Sequence, residues 1–216
     1  VTQPVQLPDY AGSALRGAFG HALMQLSGLR KHDVREKTPL FLFSPYAQIF
    51  EPQPDATASG LPGRLPTPPV PYVIEAPLGG ARYLDEGEEF SFELVLLEPA
   101  LQHLSLIILA WRRALLRGFG RGEGGTAELL SVQHLSSDEE ATILYTEERP
   151  LVQTHQTTVR LPEFELPRTL HLQLETPLRL QLNGRVLSPA ELTAPVFLRH
   201  LIRRASLCFP ALLNHE

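Results

Sequence analysis

Cysteine is almost missing from this chain: Cys208 stands alone, so no disulfide can close within it. A reducing, cytoplasmic setting is the expectation. Lysine is nearly as scarce. Of the nineteen basic residues only Lys31 and Lys37 are lysines. Arginine suits two-point gripping of phosphate, although a GC-rich genome also favours it. No apolar run reaches the roughly 18 residues needed to span a bilayer, so no membrane partner is expected. The opening VTQPVQLP has no charged-then-apolar signal pattern and no initiator methionine. It begins as if mid-strand, and further residues of the natural protein are expected before it.

Recognisable catalytic spacings are absent as well. The eight histidines are scattered and form no HxxxH pair. With one cysteine, zinc spacing is missing, and no metal and no cofactor are expected. There is no GxSxG hydrolase elbow. The glycine-rich GFGRGEGG does not run into Gly-Lys-Ser/Thr, so it is no P-loop. It also precedes a strand, whereas dinucleotide-binding loops precede a helix.

What is present is a chain of 216 residues, 43% apolar, with enough apolar content for a packed core. The net charge of −5 excludes a globally basic nucleic-acid binder. The charges are segregated, however. Acidic residues gather at Asp85–Glu89, Asp138–Glu140 and Glu147–Glu148, and basic ones at Arg30–Lys37, Arg112–Arg121 and Arg199–Arg204. Local patches, not the total, govern phosphate affinity.

The periodicity gives an order of elements. Val1–Pro8 reads as the end of a strand. Tyr10–Ser27 reads as an amphipathic helix capped by Asp9, with Leu15, Ala18 or Phe19, Ala22 and Leu26 in its stripe. Gly17 and Gly20 weaken that helix by about 1 kcal/mol each, which implies close packing against them. Gly28–Pro39 reads as a basic loop, and Leu40–Phe50 carries a short apolar strand-like run and then SPYAQIFEP. Residues 51–71 form a proline-rich insertion. Val70–Ala76 and Glu89–Leu97 read as strands around a turn at Gly79–Gly87, and Pro99–Arg117 as a second helix. The glycine-rich loop follows, then strands at Thr126–Leu135 and Ala141–Tyr145. Strand, helix, two strands, helix, strand is the order of a ferredoxin-like βαββαβ unit. A strand over Leu170–Leu182 and a helix capped by Ser188 or Thr193 repeat its opening. In that helix Phe197, Leu201, Ala205 and Leu207 make the apolar face. The expected class is therefore α+β with tandem ferredoxin-like (RRM-like) units. Residues 1–149 make the first domain, 150–168 a linker, and 169–216 the start of a second, incomplete unit.

Metal-free RNA cleavage needs a base for the ribose 2′-hydroxyl, an acid for the leaving 5′-oxygen, and charge stabilisation. His21 on the first helix, with Arg16 on the same helix and Tyr10 at its start, is the leading catalytic candidate. A lone helical histidine facing solvent is the plainer alternative, and Tyr10 could equally be a helix staple. Lys31, His32, Arg35 and Lys37 form a second cluster, or a solvated charge run. Arg199, Arg203 and Arg204 surround His200 on a basic helix face suited to RNA or a partner. Arg112, Arg113, Arg117 and Arg121 flank Gly118, Gly120 and Gly122. Backbone N–H groups in such a loop can form an anion site; taken alone, the loop reads as a long, flexible connection.

The strings YAGSALRGAFGHAL, SPYAQIFEP, PYVIEAP, GEEFSFELVLL, the glycine loop into AELLSV, and TPLRLQLNGRVL before LRHLIRRAS occur in that order. Together they resemble the CRISPR-associated RAMP superfamily, and within it the sixth Cas family. That resemblance implies a metal-independent endoribonuclease that binds CRISPR repeat RNA and cuts precursor crRNA. The products would carry a 5′-hydroxyl and a 2′,3′-cyclic phosphate. It implies a catalytic histidine near the first helix, where His21 stands, and an RNA-facing glycine loop. The alternative is a non-catalytic crRNA-binding subunit or module of an effector or adaptation complex with other Cas proteins, or part of a longer fusion. Relatives often carry cysteines between the first helix and the PYAQIFEP-like segment, where this chain has none.

Overall fold

The structure is a computed structural model and describes residues 1–54, 68–120, 124–136, 141–152, 168–182 and 184–208. Helices and antiparallel strand pairs make it an α+β protein. The first strand, β1 (Val5–Leu7), leads into α1 (Gly12–Leu26). Three short helices follow: α2 (Lys31–Glu36), α3 (Pro39–Leu42) and α4 (Pro45–Ile49). Next come β2 (Tyr72–Glu75), β3 (Arg82–Leu84), β4 (Glu93–Leu96), α5 (Glu98–Leu101) and α6 (Leu104–Arg117). The hairpin β5 (Ser131–Leu135) and β6 (Ala141–Thr146) is followed, across the expected linker, by β7 (Gln181–Leu182), β8 (Arg185–Val186) and α7 (Ala194–Cys208). Among the described residues the strands join in twos, β1–β3, β2–β4, β5–β6 and β7–β8, all antiparallel.

Helix α1 forms where its apolar stripe predicts it, but Asp9 does not cap it. The N-cap is Ala11, and the Asp9 carboxylate accepts instead from the Ala81 N–H at 3.2 Å. Two residues before the N-cap, Asp9 is better placed to tie down the chain entering β3. The Gly28–Pro39 stretch is not all loop. The Asp33 carboxylate takes the Arg30 N–H at 2.9 Å and starts α2, and Lys37 at φ +51° ends it. The strand-like run that opens Leu40–Phe50 is helical, and so is the SPYAQI that follows it. Thr38-Pro39 and Ser44-Pro45 each place a hydroxyl N-cap before a proline in the first turn, a start signal that outweighs the short apolar run. The Ser44 hydroxyl accepts from the Ala47 N–H at 3.1 Å.

Other boundaries shift for similar local reasons. The expected helix over Pro99–Arg117 breaks between α5 and α6, where the His103 ring bonds the Gln48 amide oxygen at 2.8 Å. The turn at Gly79–Gly87 contains β3, which pairs with β1. Strand pairing after α6 begins at Ser131, not Thr126. Residues 124–127 lie beside the N-terminal segment, with Thr2 N–H to Thr126 O at 2.8 Å. In the strand expected over Leu170–Leu182, the ladder covers Gln181–Leu182, and the Leu180 carbonyl accepts from the Leu187 N–H at 2.9 Å.

The core lies where α1 packs on α6 and against β2, which pairs with β4. Phe19 stacks on Trp111 at 4.9 Å and meets Tyr72 edge-on at 5.5 Å, and Phe92 closes on Trp111 at 4.6 Å. Such pairs contribute about 0.5–1.5 kcal/mol each beyond their burial. Gly20 is needed here: a Cβ at that position would lie 2.2 Å from the Phe50 ring. Nothing stands within 4 Å of Gly17, so the expected close packing applies to one of the two glycines.

Candidate functional site

His21 lies on the flank of α1 that faces the end of α6. Ala18, His21 and Ala22 from α1 meet Ala114, Arg117 and Gly118 around a shallow hollow of about 240 Å³. The spacing accounts for it. Residues 18, 21, 22 and 25 recur at three- and four-residue steps along one helix face, as do 114, 117 and 118. Three alanines leave the space, and the two long polar side chains stand on its rim. Gln25, one turn beyond His21, joins them: its Nε2 lies 3.0 Å from His21 Nε2, and its Oε1 accepts from Arg117 Nη1. Sequence reasoning missed Gln25, whose signal was its i+4 spacing from His21.

Arg16 and Tyr10, expected beside His21, stand elsewhere. The Arg16 guanidinium sits 4.3 Å above the Phe50 ring. It is near enough to Tyr72 to oppose the rise that burial imposes on that phenol's pKa. Tyr10 folds back over Gly12, where a Cβ would lie 2.6 Å from its ring. Eleven residues separate it from His21, about 16 Å along a helix axis. The structure brings His21 to Arg117 and Gln25, not to Arg16 and Tyr10.

The glycine loop is built against β1. Phe119 and Gly125 exchange N–H···O bonds of 3.0 and 3.1 Å, and Phe119 is buried. A Cβ on Gly125 would lie 2.1 Å from the Pro4 carbonyl oxygen, and one on Gly120, at φ +100°, 2.7 Å from that of Gln6. These glycines serve a close backbone approach. Gly118, at φ +102°, ends α6 at the lip of the hollow. Arg113, one turn before Arg117, and Arg112 are exposed, and no ion pair holds either among the described residues. Arg121 and Gly122 lie outside the described residues.

The remaining basic clusters are separate. On and beside α2, His32 lies 3.4 Å from Asp33, Arg35 pairs with Glu36 at 2.9 Å, and Lys37 pairs with Glu51 at 2.9 Å. Lys37 also lies 4.1 Å over the Phe41 ring, and Lys31 is exposed. The Arg30 N–H, more than any other group, holds the Asp33 carboxyl below its ordinary range. Glu51 accepts from the Tyr46 hydroxyl too, and burial followed by the Glu51 charge pushes that phenol up. On α7, Arg199 and Arg203 are exposed, and Arg204 reaches the Val70 carbonyl at 3.4 Å. Between them His200 bonds the carbonyls of Gln181 at 3.0 Å and Val196 at 2.9 Å, which raise its pKa. Among the described residues no three His, Cys, Asp or Glu side chains gather as metal ligands. No described helix is long and apolar enough to cross a membrane.

The family model described as AF_1859_N, an N-terminal domain, matches residues 1–157. The chain belongs to that family. The matched segment holds the whole hollow between α1 and α6, while β7, β8 and α7 lie beyond it. No curated protein and no solved structure matches the chain.

Proposed function

We propose that this chain is a metal-independent endoribonuclease acting on CRISPR repeat RNA in the cytoplasm, with His21 as its proton-transfer group. The observation that carries the reading is the meeting of His21 and Arg117 at one open hollow. An imidazole can take the proton of a ribose 2′-hydroxyl. A guanidinium beside it can hold the phosphate and stabilise charge as it develops. The ordered run of RAMP-like strings supplies the substrate class. The ferredoxin-like reading of the first domain is supported by α1 packing on α6, by the β2–β4 and β1–β3 pairs, and by the chain after α6 running beside the N-terminal segment. Residues 169–216 are then read as the opening of a second such unit.

The test is cleavage of a repeat-containing RNA in EDTA. His21→Ala should slow cutting by about 10²-fold or more, the lower end for a lost acid–base group, with binding kept. Arg117→Ala should lose both affinity and rate. Unchanged cutting by His21→Ala would remove the site assignment.

The exposed Arg112 and Arg113, unpaired among the described residues, favour a second reading as a non-catalytic crRNA-binding module working with other Cas proteins. Phosphate contacts then dominate, and affinity falls steeply with salt. Binding without product, indifferent to His21→Ala, selects this reading.

A further inference from the structure

We infer that Gln25 is a positioning residue that sets His21 as the neutral ring protonated on Nδ1, with its basic lone pair on Nε2. A guanidinium has donors and no acceptor. Its bond to Gln25 therefore requires the amide oxygen at that end. The other end of the amide is then NH₂, also a donor. That NH₂ lies 3.0 Å from His21 Nε2, so Nε2 must accept and the ring proton must sit on Nδ1. The three side chains form a one-way relay in which Arg117 orients the amide and the amide selects the tautomer.

This inference deepens the reading of the hollow as an RNA-cleaving site and rests on it for its chemical meaning. The Gln25 N–H occupies the position on Nε2 that a substrate hydroxyl would take, because both donate to the same lone pair. When a ribose 2′-hydroxyl displaces the amide, its O–H bond breaks and an Nε2–H bond forms. The ring becomes imidazolium, the oxygen's electron pair forms the O2′–P bond, the P–O5′ bond breaks, and the leaving 5′-oxygen takes a proton from water. The arrangement keeps a neutral base in the correct tautomer before substrate arrives.

The tautomer can be read without any RNA, from the ¹⁵N shifts and ring couplings of imidazole-labelled protein at about pH 8.5, above the ordinary histidine range. His21 should appear as the Nδ1–H form. Gln25→Met keeps the length of the side chain and removes the donor, and should shift the ring toward a mixture dominated by Nε2–H. Gln25→Glu replaces the donor with an acceptor and should place the proton on Nε2. Arg117→Leu should weaken the preference without inverting it. Trp111 fluorescence reports whether each variant is folded. An Nε2–H ring in the parent protein, or a tautomer indifferent to Gln25→Met and Gln25→Glu in folded protein, would overturn the inference. Failure of RNA cleavage with the tautomer as described would overturn the functional reading alone.

Discussion

Residues 1–146 and residues 168–208 have similar local vocabularies and different fates. Each offers an amphipathic helix and strands with alternating apolar residues. In the first stretch α1 has α6, α4 and β2 to cover it, and every buried hydrophobic residue of the described chain falls between Val5 and Tyr145. In the second stretch α7 is as amphipathic as α6, yet it buries no residue, and Leu198, Leu201 and Ile202 are exposed. Amphipathicity specifies a helix; a facing element turns its stripe into a core. The family match over residues 1–157 takes in all of the packed part.

The two stretches differ most in stability at Phe19. Its ring lies in the stack between Trp111 and Tyr72. Phe19→Ala should cost about 3–5 kcal/mol, as large-to-small changes in cores do. Leu201→Ala on α7 should stay within about 0.5 kcal/mol, as surface changes do. Urea unfolding followed by the fluorescence of Trp111, the chain's one tryptophan, measures both. A comparable loss for Leu201→Ala would mean that α7 is packed as part of the same core.

What the sequence made legible follows the same division. Helix α1 and the Trp111 stripe of α6 were readable because their apolar residues recur over several turns. Helices α3 and α4 were not, because four- and five-residue helices are too short for periodicity to show. Their Thr-Pro and Ser-Pro starts carried the signal instead. At the site, His21 was legible by residue type and Arg117 by charge. Their meeting across two helices was not, since it depends on Ala18, Ala22 and Ala114 leaving room. In the glycine-rich loop, Gly120 and Gly125 meet the backbone carbonyls of Gln6 and Pro4, a close approach that composition alone did not show.

Glycines sharpen the contrast at smaller energy. Gly125→Ala would drive a Cβ into the Pro4 carbonyl and the Val5 side chain. Overpacking of that kind should cost about 1–3 kcal/mol in the global transition. Gly184, at φ +78° between β7 and β8, has nothing within 4 Å. Gly184→Ala meets only the left-handed backbone penalty, about 1–2 kcal/mol. That cost should appear as faster amide exchange at Gln181, Leu182, Arg185 and Val186, with the Trp111 midpoint unmoved. Equal shifts in the global midpoint would erase the distinction between the two regions.

The smallest effect concerns two carboxylates that close turns, one in each region. Asp33 does so at the start of α2, and Glu191 after β8. Glu191 accepts from both Nη atoms of Arg185, from the Ser188 N–H at 2.9 Å and from its hydroxyl at 2.8 Å. These bonds, Arg185 foremost, bring its pKa down from 4.5 to about 2. A carboxyl depressed in the folded state contributes stability above its unfolded pKa and loses it as pH falls through the folded value. The Arg185–Glu191 turn should therefore hold at pH 4.5 and open as pH approaches about 2. Because the pair is exposed, the gain is confined to the turn. The Glu191 carboxyl ¹³C shift should titrate near 2. Glu191→Gln should remove the acid dependence of amide exchange at residues 185–191 and leave the packed region untouched. A Glu191 midpoint near 4.5 would show that the turn is not formed in solution. The contrast would then lie between a packed region and one lacking even local order at that turn.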